Sequence, residues 1–256
     1  MLSVTVITKN EALNIAECLN SASFAKQIVV LDSGSTDATQ QIARSCGAEV
    51  VVFSDWRGFG VQKNRALDAA RNEWVLSIDA DERVSPDLAK EILEAIGQVQ
   101  SNDQNVAFAI PRLTQFCGVW IKHCGWTPDY VVRLFRRGEA RFSDDVVHEK
   151  LVMAQTNSKI IRLKNPLLHF SYPTPASYWE KLRRYSHDWA VSEQAKGRTT
   201  TIARAALSGL AAFVRSYFFR LGFLDGSMGF VVCMLQAQAA FGKYFELYWL
   251  NQQGGK

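Results

Sequence analysis

Apolar residues follow one another almost without interruption in short segments of the first half of the chain, and mixed polar stretches separate these segments. They are rich in valine and isoleucine and cover residues 3–8, 27–32, 48–53, 73–79 and 105–110. Short, nearly continuous apolar runs are typical of parallel strands that are buried on both faces. The pattern therefore predicts a parallel sheet inside an α/β domain.

The polar stretches between these strands carry helix signals. Ser35 or Thr36 can accept the free backbone N–H groups at the start of a helix, and Gly47 can end it in the left-handed conformation. Another helix is predicted to begin at Ser85 and Pro86, because proline needs no hydrogen-bond partner at the first helical position. Strands alternating with helices predict a doubly wound, Rossmann-like sheet, and such sheets bind ligands at the carboxyl ends of their strands.

The pattern changes towards the C-terminus, where the chain becomes helical from about residue 175 onward. Residues 204–250 are apolar with sparse positive charge, but Gln236, Lys243 and Glu246 interrupt them. A membrane-spanning helix needs about 20 predominantly apolar residues. Binding at a membrane surface is therefore the preferred interpretation, and a helical pair that packs on the domain or forms a dimer is the alternative.

Composition and charge narrow the class of protein. The chain has 256 residues, 48% of them apolar and 21% charged, which excludes general disorder. The net charge of +4 permits an anionic partner. Nucleic-acid binding is not predicted, because the positive charge is spread thinly and no recognition motif appears. Five cysteines without a paired CxxC indicate reduced thiols, and the N-terminus reads as a strand instead of a signal peptide, so an intracellular protein is expected.

The stretch "WVLSIDADE" places Asp79 and Asp81 at the carboxyl end of a predicted strand. Two residues apart in an extended chain, the two carboxylates would point the same way. A divalent cation, Mg²⁺ or Mn²⁺, would stabilise such a pair, since both ions take oxygen ligands and bridge to phosphates. The alternative is a solvated acidic turn or a helix-capping cluster.

Further polar residues are predicted at the same edge of the sheet. Asp32 ends its strand, Thr8 and Glu11 follow the first strand, and Lys63 and Arg65 lie at a helix start. Together with the acid pair, these side chains describe a site for a nucleotide diphosphate. Neither a G-x-G-x-x-G fingerprint nor a P-loop is present, which excludes those two modes of nucleotide binding.

Four ordered motifs identify a family. "VTVITKNEALNI", "VVLDSGSTDAT", "QKNRAL" and "WVLSIDADE" resemble the nucleotide-binding half of inverting glycosyltransferases of family 2, which have the GT-A fold. "VVHEKL", "LLHFSYPTPASYWEKLRRY" and "GFLDGSMGF" are similar to a narrower group, the bacterial lipopolysaccharide core β-1,4-glucosyltransferases that place glucose on the first heptose of the inner core.

The resemblance implies a domain organisation. A GT-A domain would cover residues 1–172, with nucleotide-sugar binding in 1–115 and the acceptor and catalytic part in 116–172. A helical, membrane-associating region would follow in 173–256.

The resemblance also implies roles for single residues. Asp32 would contact uracil, and Thr8 and Glu11 would line the base and ribose pocket. Lys63 and Arg65 would face the ribose or the phosphates. Asp79 would contact the ribose or a metal-bound water, and Asp81 would bind the metal directly. His169 would be a further metal ligand or, alternatively, a structural histidine.

Inverting transfer needs a base that removes the proton of the acceptor hydroxyl. "RFSDDVVHEKL" offers carboxylates for this role, although the "ED" pair of many family members is absent. Glu149 is the preferred base and Asp145 the second choice. His148 would orient an acid, bind the acceptor or simply pack.

The predicted function is therefore metal-dependent, inverting transfer of a hexose, glucose from UDP-glucose in the first instance, to the heptose of a lipid A–core acceptor. The enzyme is expected at the cytoplasmic face of the inner membrane, as a peripheral protein. An enzyme acting on a polyprenyl phosphate or another polysaccharide is the nearest alternative. A membrane-bound scaffold with an inactive nucleotide-sugar fold is the alternative outside enzymes.

Overall fold

The computed structural model describes residues 1–100, 103, 105–143 and 150–253. Its strands are β1 Leu2–Thr8, β2 Gln27–Asp32, β3 Glu49–Val52, β4 Trp74–Asp79, β5 Glu82–Val84, β6 Val106–Phe116, β7 Val119–Ile121, β8 Asp129–Arg136, β9 Ala140–Phe142, β10 Leu151–Met153, β11 Lys159–Arg162 and β12 Leu167–Tyr172. Its α-helices are α1 Ile15–Ser21, α2 Thr39–Ser45, α3 Phe59–Ala69, α4 Pro86–Gln98, α5 Pro175–Ala195, α6 Ile202–Val214 and α7 Gly226–Gln253. A π-helical turn, Arg215–Phe219, and a 3₁₀ turn, Gly222–Asp225, lie between α6 and α7.

The chain forms two compact units. The first contains residues 1–112 and 129–169, and the second contains 113–128 and 170–256. A domain boundary was predicted at residue 172. In the structure, residues 113–128 group with the C-terminal helices, although they precede that boundary. All of the candidate site residues that the structure describes lie in the first unit.

The first unit is built on a mixed sheet with the strand order β3-β2-β1-β4-β8-β6-β12-β5, and β11 pairs with β6. Strands β3, β2, β1 and β4 run parallel, as predicted. Strand β8 is antiparallel to both β4 and β6. The continuous apolar pattern of 105–110 thus predicted a buried strand correctly, and β6 runs in the same direction as β4, but the antiparallel strand β8 between them was not predicted.

Helices cover the parallel strands because both faces of these strands are apolar. One face of the sheet packs against α1 and α4, in a core that includes Val4, Val6, Leu76, Ile78, Ile15, Leu19, Leu88 and Ile92. A second cluster contains Leu67 of α3, Val75 of β4 and Phe135 of β8. The result is a Rossmann-type α/β fold that presents the carboxyl ends of β1, β2 and β4 at one edge.

The sequence predicted the start of α4 and the end of α2 correctly, but it predicted the start of α2 wrongly. Ser85 Oγ accepts a hydrogen bond from an amide N–H in the first turn of α4, as predicted. Gly47 follows α2 with φ +80°, also as predicted. However, α2 begins only at Thr39, because Ser35 Oγ donates to Asp32 Oδ2 (2.5 Å) and does not cap the helix.

The second unit is mainly helical. Helix α5 begins with a reciprocal capping box between Thr174 and Ser177, and α6 packs against α7, with Gly209 near Phe241. In the described ranges, no helix is by itself both long and apolar enough to cross a bilayer. The segments Ile202–Phe219 and Gly222–Gln253 meet that criterion only together, as a pair bent by 73°.

Candidate active site

The acid cluster lies in the turn between β4 and β5. Asp79 ends β4, Ala80 and Asp81 form a turn, and Glu82 begins β5. The chain is not extended between Asp79 and Asp81, so the prediction that their carboxylates point the same way, which assumed an extended chain, does not apply here. The turn instead directs the two carboxylates to different partners.

The carboxylate of Asp79 is neutralised by the protein itself. Its Oδ1 lies 3.2 Å from Lys63 Nζ, and its Oδ2 lies 2.6 Å from Arg133 Nη2. Burial raises the pKa of Asp79, but Arg133 and then Lys63 outweigh burial and hold the pKa well below its usual range. Asp79 is therefore ionised at neutral pH without a metal ion, and the expectation that these acids need a cation does not hold for it.

Glu82 is the buried carboxylate of the same cluster. It has no exposed surface, and its Oε2 accepts a hydrogen bond from the backbone N–H of Asp79 (2.9 Å). Its Oε1 lies 2.9 Å from Arg133 Nη2 and 3.8 Å from Arg112 Nη1. Burial raises the pKa of Glu82, and Arg133 opposes that rise. The arginine thus joins the buried carboxylate of Glu82 to the partly exposed carboxylate of Asp79, and the two carboxylates would otherwise repel each other.

Asp81 lies beside a histidine. Its Oδ2 lies 3.4 Å from His169 Nε2, and the side chains are 21% and 15% exposed. The antiparallel register of β12 and β5, with His169 opposite Glu82, brings the imidazole to this turn. One carboxylate oxygen and one imidazole nitrogen are donors that Mn²⁺ accepts, and Mg²⁺ shares the preference for the oxygen.

The donor set fits a cation that arrives with a phosphate ligand. Among the described residues, no group of three His, Cys, Asp or Glu side chains is arranged to hold a metal ion. A protein that supplies only one or two ligands leaves the other positions to phosphate oxygens and water, as is common for cations bound with nucleotides. Asp81 and His169 are the residues that would hold such an ion.

Further predicted residues gather at the same edge. Thr8 and Asp32 are paired in the β1–β2 register, and Ile7, next to Thr8, is paired with Asp79. Thr8 Oγ1 is buried and has no hydrogen-bond partner in the described part of the chain. A buried hydroxyl of this kind usually has a partner, so it is consistent with a ligand at this edge.

The comparisons with known proteins give the family. The family described as Glycosyl transferase family 2 matches residues 3–178. The chain belongs to this family. It is 32% identical to an uncharacterized glycosyltransferase of Rickettsia bellii (strain RML369-C), over 98% of the chain and 87% of that protein.

A further relative and a solved structure are also similar to this glycosyltransferase. It is 29% identical to the lipopolysaccharide core biosynthesis glycosyltransferase LpsC of Rhizobium meliloti (strain 1021), over 96% of the chain and 92% of that protein. The solved mannosyltransferase PcManGT from Pyrobaculum calidifontis, in complex with GDP-Man and Mn²⁺, superposes with a TM-score of 0.51 at 17% identity. That match covers 99% of the chain and 79% of the mannosyltransferase, and it confirms the GT-A-like fold.

Two predicted donor-site residues of the glycosyltransferase are engaged elsewhere in the structure. Asp32 has no exposed surface, and its carboxylate accepts hydrogen bonds from Gly34, Ser35 and Gln40. Its contact with a base remains a prediction, and a base N–H would have to replace the Ser35 hydroxyl. Arg65 forms a two-point ion pair with Asp55 (2.9 and 2.8 Å) and does not join the acid cluster.

The acceptor side is described less fully. Glu149, Asp145 and His148 lie outside the described residues, so their roles as base and helper remain predictions. Glu11, predicted at the base and ribose pocket, accepts a hydrogen bond from Asn14 Nδ2 (2.8 Å) beside β1.

The sequence predicted Lys63 at this site but not the two arginines that organise the cluster. Arg133 lies in the apolar run "YVVRLF", and a charged residue in a buried strand requires a partner. That signal was available, although it does not say which carboxylates the arginine meets. Arg83 was missed as well: its guanidinium donates to the carbonyls of Ala80 (3.1 Å) and Glu82 (3.2 Å) and so fixes the turn.

Proposed function

We propose that this glycosyltransferase moves a hexose, glucose from UDP-glucose in the first instance, to a heptose of the lipopolysaccharide inner core, with inversion at the anomeric carbon. The observation that carries the proposal is the pair Asp81–His169 beside an Asp79 that is already neutralised by Lys63 and Arg133. The name of LpsC, a lipopolysaccharide core biosynthesis glycosyltransferase, supports the acceptor class.

The proposed donor site uses the two carboxylates for different tasks. Asp81 and His169 would hold a divalent cation, Mg²⁺ or Mn²⁺, whose chemistry is to offset the negative charge that builds on the departing diphosphate. Asp79, held by two cations and by Glu82, would accept a hydrogen bond from the ribose or from a water. Thr8 and Asp32 at the ends of β1 and β2 would face the nucleoside.

The proposed transfer exchanges one bond for another. A carboxylate base takes the proton of the acceptor hydroxyl, and that oxygen forms a bond to the anomeric carbon. The bond from the anomeric carbon to the diphosphate oxygen breaks on the opposite face, and its electron pair leaves with UDP. Glu149 is the proposed base, Asp145 is the second candidate, and His148 is the proposed helper.

Calorimetry on the donor tests the proposal first. UDP-glucose is titrated into the wild-type protein with and without Mn²⁺, and into Asp81→Ala and Asp68→Ala. The control removes a carboxylate from an exposed ion pair with Arg141. We expect cation-dependent binding in the wild type and the control and its loss in Asp81→Ala. Binding of a different UDP-sugar would overturn the choice of glucose, and no nucleotide binding would favour the scaffold.

Acceptor assays separate the remaining alternatives. The enzyme is supplied with a heptose-terminated lipid A core or with a polyprenyl phosphate, and the anomeric configuration of the product is read by NMR. Product on the core acceptor with inverted configuration supports the proposal. Exclusive transfer to the polyprenyl phosphate, or retention of configuration, contradicts it. Glu149→Gln and Asp145→Asn then show which carboxylate acts as the base.

A further inference from the structure

Residues 202–224 of the second unit expose an unusual amount of apolar surface. Phe219 is 78% exposed, Leu207 65% and Leu210 62%. The other exposed large apolar residues of this segment are Ile202, Phe218, Leu221, Phe223 and Leu224. We refer to these eight residues as the apolar face. Exposed large apolar side chains that recur along one segment often mark a site of interaction with a protein or a membrane.

The charges around the apolar face have one sign. The sequence has no Asp or Glu from residue 194 to residue 224, and Asp225 is the only acid before Glu246. Asp225 is buried and accepts hydrogen bonds from the backbone and ring of His123. Arg204, Arg215 and Arg220 are exposed, and none of them forms an ion pair with a described carboxylate.

We propose that the apolar face is a membrane-binding surface that lies in the plane of an anionic bilayer, with its aromatic and aliphatic side chains at the acyl boundary and its arginines among the headgroups. Exposed apolar side chains together with arginines and no exposed acid are the features that bind such an interface. Two copies of this chain are a poorer partner, because a two-fold interface would place the same arginines near one another.

The helical segments Ile202–Phe219 and Gly222–Gln253 are bent by 73° relative to each other. This bend favours binding in the plane of the membrane over crossing it. Neither segment alone has the length and hydropathy of a membrane-crossing helix. Arginines recur along the segment at residues 204, 215 and 220, and charges at the bilayer centre are costly. In the interface plane the same arginines remain hydrated.

Vesicle sedimentation with the purified full-length protein tests the proposal. Phosphatidylcholine vesicles are compared with vesicles of equal parts phosphatidylcholine and phosphatidylglycerol, at low and high salt. We expect clear binding only to the anionic vesicles and weakening by salt. This comparison uses the wild-type protein alone. Equal binding to both vesicle types, or binding to neither, overturns the proposal.

Variants then locate the surface. The double variant Leu207→Gln, Phe219→Gln should reduce partitioning onto anionic vesicles about tenfold or more, because two large apolar side chains no longer enter the interface. The matched control Leu93→Gln, Ile160→Gln changes two exposed apolar residues of the first unit and should bind as the wild type does. Arg204→Gln, Arg215→Gln should lose the preference for anionic lipid. Equal loss in the test and control variants contradicts the assignment.

Two further readouts exclude other partners. Sedimentation equilibrium without lipid should give a monomer mass for the wild type, and a dimer that Leu207→Gln, Phe219→Gln dissociates would overturn the proposal in favour of a second copy. Extraction of cell membranes at alkaline pH should release the protein, and release by detergent alone would show a span. Donor calorimetry is independent of these outcomes, so failure of the membrane proposal leaves the proposed function intact.

Discussion

At the residue scale, the site depends on a few buried charges that compensate one another. Arg133 is 5% exposed and contacts both Asp79 and Glu82. Removing one member of a buried ion pair leaves a charge without compensation, which costs far more than the loss of a surface pair. The cluster is therefore expected to be a structural requirement of the site even when no ligand is bound.

We predict that Arg133→Met lowers the free energy of unfolding by about 3 kcal/mol, since Glu82 would be left buried without its close cation and Asp79 would repel it. Arg141→Met, which removes an exposed pair with Asp68, should cost less than about 1 kcal/mol. Adding Glu82→Gln to Arg133→Met should restore part of the stability, because it removes one uncompensated charge. Urea denaturation measures all three. Equal costs for the two arginine variants would contradict this account of the cluster.

The sequence predicted which residues meet at this edge of the sheet better than it predicted their contacts. Asp79, Asp32 and Thr8 follow apolar strands, and strand ends in a parallel sheet meet at one edge, so their proximity could be inferred. The pairing of Asp81 with His169 depends on the register of β12 against β5, between residues far apart in sequence. Nothing in the local pattern of either residue encodes that register.

At the element scale, glycines in helices have different roles that the sequence alone does not distinguish. A Cβ on Gly229 of α7 would lie 2.0 Å from the carbonyl oxygen of Gly222 and 2.8 Å from Asp225 Cβ. A Cβ on Gly97 of α4 would meet nothing within 4 Å. Gly229 thus permits the close approach of α7 to the turn before it, whereas Gly97 only lowers the helix propensity.

Gly229→Ala should therefore destabilise the protein by about 1–3 kcal/mol or more, because backbone atoms would have to move apart. Gly97→Ala should leave stability unchanged or raise it by up to about 1 kcal/mol, since alanine is the better helix former. Thermal unfolding of the two variants beside the wild type measures the difference. A Gly229→Ala protein as stable as Gly97→Ala would show that α7 does not pack closely on the 3₁₀ turn.

Element types were more predictable than element bounds. The strand and helix patterns of β1, β2, β4 and α4 are strong, and the structure contains all four near their predicted positions. The start of α2 was missed because Ser35 bonds to Asp32, a tertiary requirement that overrides its capping preference. The position of the break between α6 and α7 was not predicted, although a helical pair was one of the two interpretations of this segment.

At the scale of the whole molecule, ligand binding should be visible as stability. A ligand that binds only the folded state raises the free energy of unfolding by about 2.7 kcal/mol at about a hundred times its Kd. For a chain of this length, that gain corresponds to a rise in Tm of roughly 5 °C or more. Since Asp81 and His169 are the proposed cation ligands, the cation and the donor together should stabilise the fold by more than the sum of their separate effects.

We predict that UDP-glucose with Mn²⁺ raises the Tm of the wild type by more than the sum of the two separate shifts. His169→Ala should abolish this excess and keep the shift that nucleotide alone produces, because Lys63 and Asp79 remain. His187→Ala is the matched control: His187 is 55% exposed and pairs with Glu246 on the second unit, so its loss should leave the excess intact. Differential scanning fluorimetry of the three proteins, each with no ligand, nucleotide, cation or both, gives the comparison. An excess that survives in His169→Ala would remove this histidine from the cation site, whereas an excess lost in both variants would point to a general effect of removing a histidine.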